Sequence, residues 1–126
     1  TDGLLIGVLS NTLWPRTHHQ EVFERDNLSE LIDAACYTSE MPVAKPHLDA
    51  FKLIAGEIGV KPEHCVFVGD RLWDDIFGAQ QIGMRAIWIP HSRVPTEQAP
   101  EGDAVPDAVA NELKDVLGIV RQWRSV

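Results

Sequence analysis

The chain is organised around the stretch Val66-Phe67-Val68-Gly69-Asp70-Arg71-Leu72-Trp73-Asp74-Asp75. A short apolar run, typical of a buried strand, ends there in Gly-Asp, and two more carboxylates follow closely. Gly69 lets the chain bend as it leaves the strand. Asp70 is then presented at the strand's carboxyl end, where open α/β sheets bind their ligands. We expect Asp74 and Asp75 at the start of a helix, where acidic side chains suit the helix dipole.

These three carboxylates allow two interpretations. Because they are close together they repel one another, and a hard divalent cation would relieve that repulsion. The alternative is a turn residue followed by a helix cap, which requires no ligand. The ten residues alone leave both interpretations open.

The composition indicates one globular domain over residues 1–126. Hydrophobic residues make up 44% and charged residues 24% of the chain, which argues against a disordered or fibrous protein. The net charge of −8 disfavours nucleic acid and anionic membranes as partners. It does not exclude an anionic small substrate, because a local cation can override the overall field.

The two cysteines and the apolar runs bear on the compartment. Cys36 and Cys65 have neither the spacing of a zinc site nor the number for a disulfide framework, so we expect buried free thiols. No apolar run approaches the ~18 residues of a membrane span. No signal peptide is visible either, and we therefore expect a cytoplasmic protein.

Short apolar runs alternate with segments of helical periodicity along the chain. The predicted strands are 4–9, 34–37, 64–68, 85–89 and a short edge strand at 108–109. The predicted helices are 17–26, 46–58 ending at Gly59, 74–82, and a last one capped by Asn111 whose apolar stripe we assign to the core. This alternation predicts an α/β fold, a Rossmann-like three-layer α/β/α arrangement with a mainly parallel sheet buried on both faces.

Polar side chains follow three of the predicted strands. Ser10 and Asn11 come after the first, Lys45 precedes the helix that follows the second, and Asp70 follows the third. In a doubly wound sheet these ends converge on one crevice. Together they offer hydrogen-bond donors, a fixed positive charge and a carboxylate for a hard cation, which is what phosphoryl transfer requires.

At this point the sequence resembles the haloacid dehalogenase (HAD) superfamily of hydrolases. The segment 8–12 resembles its second motif, a strand ending in Ser or Thr, and the segment 45–51 its third, a lysine before a helix. The segment 66–70 with Asp75, continued through 76–79 and 82–84, resembles its fourth. The three motifs agree with the family in order and spacing, and the resemblance covers roughly residues 4 to 118.

The resemblance implies a magnesium-dependent hydrolase, and the Gly-Asp form of the fourth motif favours a phosphatase acting on a small phosphomonoester. Ser10 and Asn11 would hydrogen-bond the phosphoryl group, and Lys45 would hold its oxygens. Asp70 would ligate Mg²⁺, and Asp75 would support the metal site or Lys45. Because Asp74 and Asp75 are adjacent, the resemblance does not decide which of them is the distal acidic residue.

The family's first motif, Asp-x-Asp on the leading strand, has no match in these residues, and neither has the cap domain. Asp2 is the only acidic residue before Ser10. We therefore expect a fragment, the C-terminal part of an incomplete HAD core, that is inactive alone and associates with its N-terminal half. The alternatives are a pseudoenzyme without its nucleophile and a receiver-like interaction module. The order Lys45 then Asp70 counts against the receiver, in which the phosphoacceptor precedes the lysine.

Overall fold

The computed structural model describes residues 4–10, 16–27, 29–41, 43–45, 47–90 and 105–124. It divides into two compact units, Thr1–Lys61 and Pro62–Val126. Every described strand pairing is parallel, which confirms the predicted α/β class. Within the described residues no helix is long and apolar enough to cross a membrane.

The first unit is a pair of parallel strands with a helix packed on it. Its elements are β1 (Gly7–Ser10), α1 (Arg16–Arg25), β2 (Ala34–Tyr37) and α2 (Leu48–Ile58). The register runs from Gly7 opposite Ala34 to Ser10 opposite Tyr37, so the carboxyl ends of both strands lie level. Helix α2 contacts both strands and contributes Phe51 and Ile54 to the core.

Strand β1 is shorter and more exposed than predicted. It begins at Gly7 instead of residue 4, and Leu4, Leu5 and Ile6 are 40%, 54% and 45% exposed. Leu9 is its buried side chain. The predicted burial on both faces is wrong for Leu4, Leu5 and Ile6, which precede the strand. Within the described residues β1 has β2 as its one neighbouring strand.

Helix α2 shows how local chemistry fixes its ends. It begins at Leu48, two residues later than predicted, because His47 acts as its N-cap and accepts a hydrogen bond from the Asp49 N–H on Nδ1 at 3.1 Å. It ends at Gly59, as predicted, where a φ of 72° places the backbone in the left-handed region that favours glycine.

The second unit is a three-stranded parallel sheet in the order β3–β4–β5. Its elements are β3 (Val66–Gly69), a π-helix (Leu72–Phe77), α3 (Gly78–Gln80), β4 (Arg85–Trp88), β5 (Ala108–Val109) and α4 (Leu113–Arg124). The short strand at 108–109 is confirmed and pairs with β4. The core of this unit consists of six buried apolar side chains: Ile76, Ala79, Met84, Ala86, Ile87 and Ala110.

Helix α4 differs from its prediction in two ways. It begins at Leu113, and the Asp115 carboxylate accepts a hydrogen bond from the Glu112 N–H at 3.2 Å, so the predicted capping by Asn111 is wrong. Leu113 and Leu117 are 72% and 40% exposed, so the interpretation of the stripe as core fails at these two positions. Periodicity gives the apolar face of a helix, but not how much of that face a neighbour covers.

Neither cysteine forms a disulfide, as predicted, but the predicted burial is confirmed for Cys36 only. Cys36 lies buried in β2, and Cys65 is half-buried just before β3. Burial raises the pKa of each thiol, since the charged thiolate loses its hydration.

Candidate active site

The turn that follows β3 is held by a buried carboxylate. Asp75 is 3% exposed, and its Oδ2 accepts hydrogen bonds from the Asp70 N–H at 3.1 Å and the Arg71 N–H at 3.2 Å. Hydrogen bonds to an ionised acceptor are stronger than those to a neutral one. The backbone that carries Asp70 is therefore fixed by a side chain five residues further along the chain.

Glycine is required at position 69, at the end of β3, because there is no space there for a side chain. The expectation was a backbone bend, but among the described glycines only Gly59 and Gly83 have a positive φ. A Cβ at Gly69 would instead overlap the Asp75 side chain. Because Gly69 has no side chain, the Asp75 carboxylate can reach the turn.

A π-helical turn brings Asp75 to this position. The Ile76 N–H donates to the Arg71 carbonyl, five residues back, at 3.2 Å, and the Asp75 N–H donates to the same carbonyl at 3.0 Å. The helix was predicted from residue 74 and begins at Leu72, so Asp74 and Asp75 both fall in its first turn. Single π-turns of this kind occur frequently at functional sites.

The three carboxylates of the stretch have three different environments. Asp70 is exposed, and within the described residues its carboxylate makes no hydrogen bond or ion pair. Asp74 lies 3.9 Å from the Arg71 guanidinium. Asp75 is buried under the turn. Of the three residues, Asp70 is the exposed one.

The donor set fits a magnesium ion only as part of a site. Among the residues that the structure describes, no group of three or more His, Cys, Asp or Glu side chains could hold a metal. Mg²⁺, however, is commonly bound by one or two carboxylates, with waters and substrate phosphates as its other ligands. One exposed carboxylate on a fixed turn meets that requirement.

Ser10 ends β1 and lies beside an aromatic cluster. It is half-buried and stands opposite Tyr37, which is 1% exposed. The His19 ring stacks on the Tyr37 ring at 4.4 Å, and the Arg16 guanidinium lies 5.1 Å from the centre of the same ring. Burial raises the pKa of the Tyr37 hydroxyl, so it stays neutral. Asn11, predicted to act with Ser10, lies outside the described residues.

Lys45 lies in a turn that leads into helix α2. The His47 N–H donates to the Ala44 carbonyl at 2.9 Å, which closes the turn around Lys45. The Lys45 side chain is half-buried. Its placement shortly before a helix agrees with the prediction, although the helix starts two residues later.

The predicted site residues fall into two groups. Ser10 and Lys45 belong to the first unit, and Asp70, Asp74 and Asp75 are brought together in the second. Their convergence on one crevice stays a prediction. Sequence reasoning missed Trp88, whose indole Nε1–H donates to the Asp70 carbonyl at 3.1 Å. The available signal was a tryptophan at the end of the strand that follows Asp70 in the sequence. The sequence pattern does not reveal that this strand pairs with β3 and so brings the indole to Asp70.

Comparisons with known proteins identify relatives of this chain. A family model described as HAD-hydrolase-like matches residues 42–116, more than half of the chain. A glyceraldehyde 3-phosphate phosphatase from Pyrococcus furiosus is 36% identical over 80 residues, which cover 64% of this chain and 33% of that protein. The enzyme of the same name from Methanocaldococcus jannaschii is 29% identical over 122 residues, covering 97% of this chain and 51% of that protein.

The same fold occurs in a solved structure. The crystal structure of a HAD phosphatase from Thermococcus onnurineus aligns over 94% of this chain and 51% of its own, with a TM-score of 0.75 and 24% identity. The chain thus spans between a third and about half of the length of these curated relatives. The family model spans the motifs at 45–51 and 66–84, the fold is the same as that of the solved structure, and the chain belongs to the HAD-hydrolase-like family.

Proposed function

We propose that this chain is part of a magnesium-dependent phosphatase that hydrolyses a small phosphomonoester. The observation that carries the proposal is the exposed Asp70 carboxylate, presented at the end of β3 on a turn that the buried Asp75 holds in place. Membership of the HAD-hydrolase-like family favours this function over a receiver-like interaction module.

The roles follow from the chemistry of each side chain. Transfer of a phosphoryl group spreads negative charge over its oxygens, and catalysis consists mainly of positioning and of stabilising that charge. The Ser10 hydroxyl and the Asn11 amide would donate hydrogen bonds to those oxygens, and the Lys45 ammonium would balance their charge. Asp70 would hold Mg²⁺, which when bound supplies a positive charge beside the phosphoryl oxygens.

Asp75 has a different role from Asp70 in this proposal. Its Oδ2 is engaged by two backbone N–H groups, so it supports the turn and through it the Asp70 carboxylate. Asp74, which lies beside the Arg71 guanidinium at the edge of the turn, is not the supporting residue.

The substrate class is taken from the relatives. Proteins named glyceraldehyde 3-phosphate phosphatase are similar over 64% and 97% of this chain, and we propose a small phosphorylated metabolite of that kind as substrate. The nucleophile would come from a part of the whole protein outside these residues, because a covalent phosphoryl intermediate requires a nucleophile and both Asp70 and Asp75 have other roles in this proposal. The alternative is a pseudoenzyme, in which that carboxylate has been lost.

The proposal is tested on the whole protein that contains this chain. Phosphate release is measured from glyceraldehyde 3-phosphate and from p-nitrophenyl phosphate, with Mg²⁺ and after its removal by EDTA. We expect activity that depends on Mg²⁺. Lys45→Ala and Asp70→Asn should each lower kcat by about 100-fold or more, the effect of removing one group that stabilises transition-state charge.

A matched control separates these roles from general effects of charge. Lys52 is an exposed lysine on α2, and Lys52→Ala should leave the rate unchanged. Full activity in both Lys45→Ala and Asp70→Asn would contradict the assigned roles. A wild-type protein without phosphatase activity would favour the pseudoenzyme.

A further inference from the structure

Trp88 occupies a distinctive position beside Asp70. It is the last residue of β4 and stands opposite Gly69 in the parallel register. Its indole Nε1–H reaches across to the neighbouring strand and donates to the Asp70 carbonyl at 3.1 Å. A tryptophan side chain is a hydrogen-bond donor only and does not titrate, so it cannot compete with Asp70 for a cation.

The backbone between Gly69 and Arg71 is therefore held from two sides. The Asp75 carboxylate takes the N–H groups of Asp70 and Arg71. On the carbonyl side, the Ile89 N–H donates to the Gly69 carbonyl at 2.9 Å and the Trp88 indole to the Asp70 carbonyl. Within the described residues these contacts involve both peptide groups that flank the Asp70 Cα.

This bracing fixes the direction of the Asp70 Cα–Cβ bond, and with it the positions that the carboxylate can reach. That side chain makes no hydrogen bond or ion pair of its own in the described part of the chain, so the backbone that carries it is what limits the positions of its carboxylate. If the carbonyl hydrogen bond is lost, the peptide group after Asp70 keeps only the hydrogen bond from its Arg71 N–H to Asp75, so its plane can tilt further. The carboxylate then has to be reoriented each time a cation binds, which weakens the binding.

We propose that Trp88 is a positioning residue for the Asp70 carboxylate, and through it for Mg²⁺ binding. This inference rests on the function proposed above. It predicts that removal of the indole N–H weakens the affinity for Mg²⁺ and leaves the chemical step intact when Mg²⁺ is saturating.

The test compares variants that differ in the indole N–H. Trp88→Phe removes the donor and keeps an aromatic ring, and replacement of Trp88 by 3-benzothienylalanine removes the donor and keeps the bicyclic shape. Trp73→Phe is the matched control, because Trp73 lies in the π-helix that follows the turn and its ring stacks on Phe77 at 4.3 Å. All are made in the whole protein, and thermal unfolding of each identifies a variant that fails to fold.

Two readouts do not depend on activity. Amide hydrogen exchange in the metal-free protein should be about fivefold faster at Asp70 and Arg71 in both Trp88 variants than in the Trp73 variant. The Kd for Mg²⁺, measured by calorimetry without substrate, should rise by about fivefold. Both figures are the fold-change that corresponds to one hydrogen bond of about 1 kcal/mol. A third readout is kcat at saturating Mg²⁺, which should stay within about twofold of wild type.

The outcomes separate this inference from the proposed function. Suppose that the wild-type protein binds Mg²⁺ and hydrolyses phosphomonoesters. An unchanged Kd for Mg²⁺ in the 3-benzothienylalanine variant then overturns the role of Trp88 and leaves the proposed function standing. A wild-type protein that neither binds Mg²⁺ nor turns over overturns the function, and the inference with it. A kcat that falls in the Trp88 variants and does not recover with added Mg²⁺ also overturns it, because that pattern indicates a general structural effect.

Discussion

Replacement of Asp75 tests the central feature of the site without any assay of function. In the structure one buried oxygen of this side chain accepts two backbone hydrogen bonds, at 3.1 and 3.2 Å. Asp75→Ala removes the acceptor and leaves both N–H groups without it. Asp75→Asn keeps the shape and one carbonyl oxygen but removes the charge. Asp74→Asn makes the same chemical change one residue earlier, where the carboxylate lies near Arg71 instead.

The expected losses follow from the number and type of hydrogen bonds. A bond to a charged group contributes about 1.5–3 kcal/mol, and we take the lower value because water can reach part of this turn. Asp75→Ala should therefore lower the free energy of unfolding by about 3 kcal/mol. A neutral acceptor retains roughly half of each bond, so Asp75→Asn should cost about 1.5 kcal/mol. Asp74→Asn should cost less than about 1 kcal/mol, since an ion pair near the surface contributes little.

Tryptophan fluorescence during urea unfolding is the appropriate assay. Three of the four tryptophans, at positions 73, 88 and 123, lie in the second unit, so the signal reports mainly on the unit that contains the turn. Far-ultraviolet circular dichroism serves as the second probe, and coincident transitions justify a two-state analysis. The loss of ~3 kcal/mol is a large part of the 5–15 kcal/mol that stabilises a typical domain. Asp75→Asn keeps the test informative if Asp75→Ala does not fold.

Two results would refute the reasoning. If the free energy of unfolding of Asp75→Ala lies within about 1 kcal/mol of the wild-type value, the two hydrogen bonds do not hold the turn. If Asp74→Asn costs as much as Asp75→Asn, the stability depends on acidic charge in this segment and not on the position of one oxygen.

Two further predictions concern packing and the buried thiols. Gly69→Ala should lower the free energy of unfolding by about 1–3 kcal/mol, because its Cβ would overlap Asp75. Gly118 on α4 has open space around it, so Gly118→Ala should raise the free energy of unfolding by up to about 1 kcal/mol. Equal effects of the two substitutions in urea unfolding would argue against the overlap. Iodoacetamide at pH 8 should modify Cys65 faster than the buried Cys36 in peptide mapping, and equal rates in the native state would contradict the difference in burial. Because burial raises the folded pKa of Cys36 above its ordinary value of 9.0, stability should be unaffected by this thiol below about pH 9 and should fall as the pH rises through the raised pKa.

Much of the fold was predictable because its signals are local. The alternation of apolar runs with helical periodicity predicted the order of the elements, and glycine marked the end of α2 at Gly59. The position of Asp70 after β3 followed from the same run of residues. The HAD resemblance came from three such local motifs, and the family model matches two of them.

The parts that could not be predicted depend on which elements lie side by side. The exposure of Leu4 and Leu113 depends on what covers them, which composition does not encode. The hydrogen bond from Trp88 to Asp70 joins residues 18 apart in the sequence and exists only because β3 and β4 pair in one particular register. A shift of that register by one residue would turn the indole to the other face of the sheet.

The choice between Asp74 and Asp75 shows why spacing alone did not resolve the site. Adjacent residues on a helix point in different directions, so only one of the two carboxylates can lie under the turn that carries Asp70. A π-turn, which adds a residue to the hydrogen-bonded ring, determines that this is Asp75, and the space it requires is provided by the missing side chain of Gly69. The Asp75 carboxylate is therefore bound to the backbone of the turn, and Asp70, which lies on that turn, is exposed.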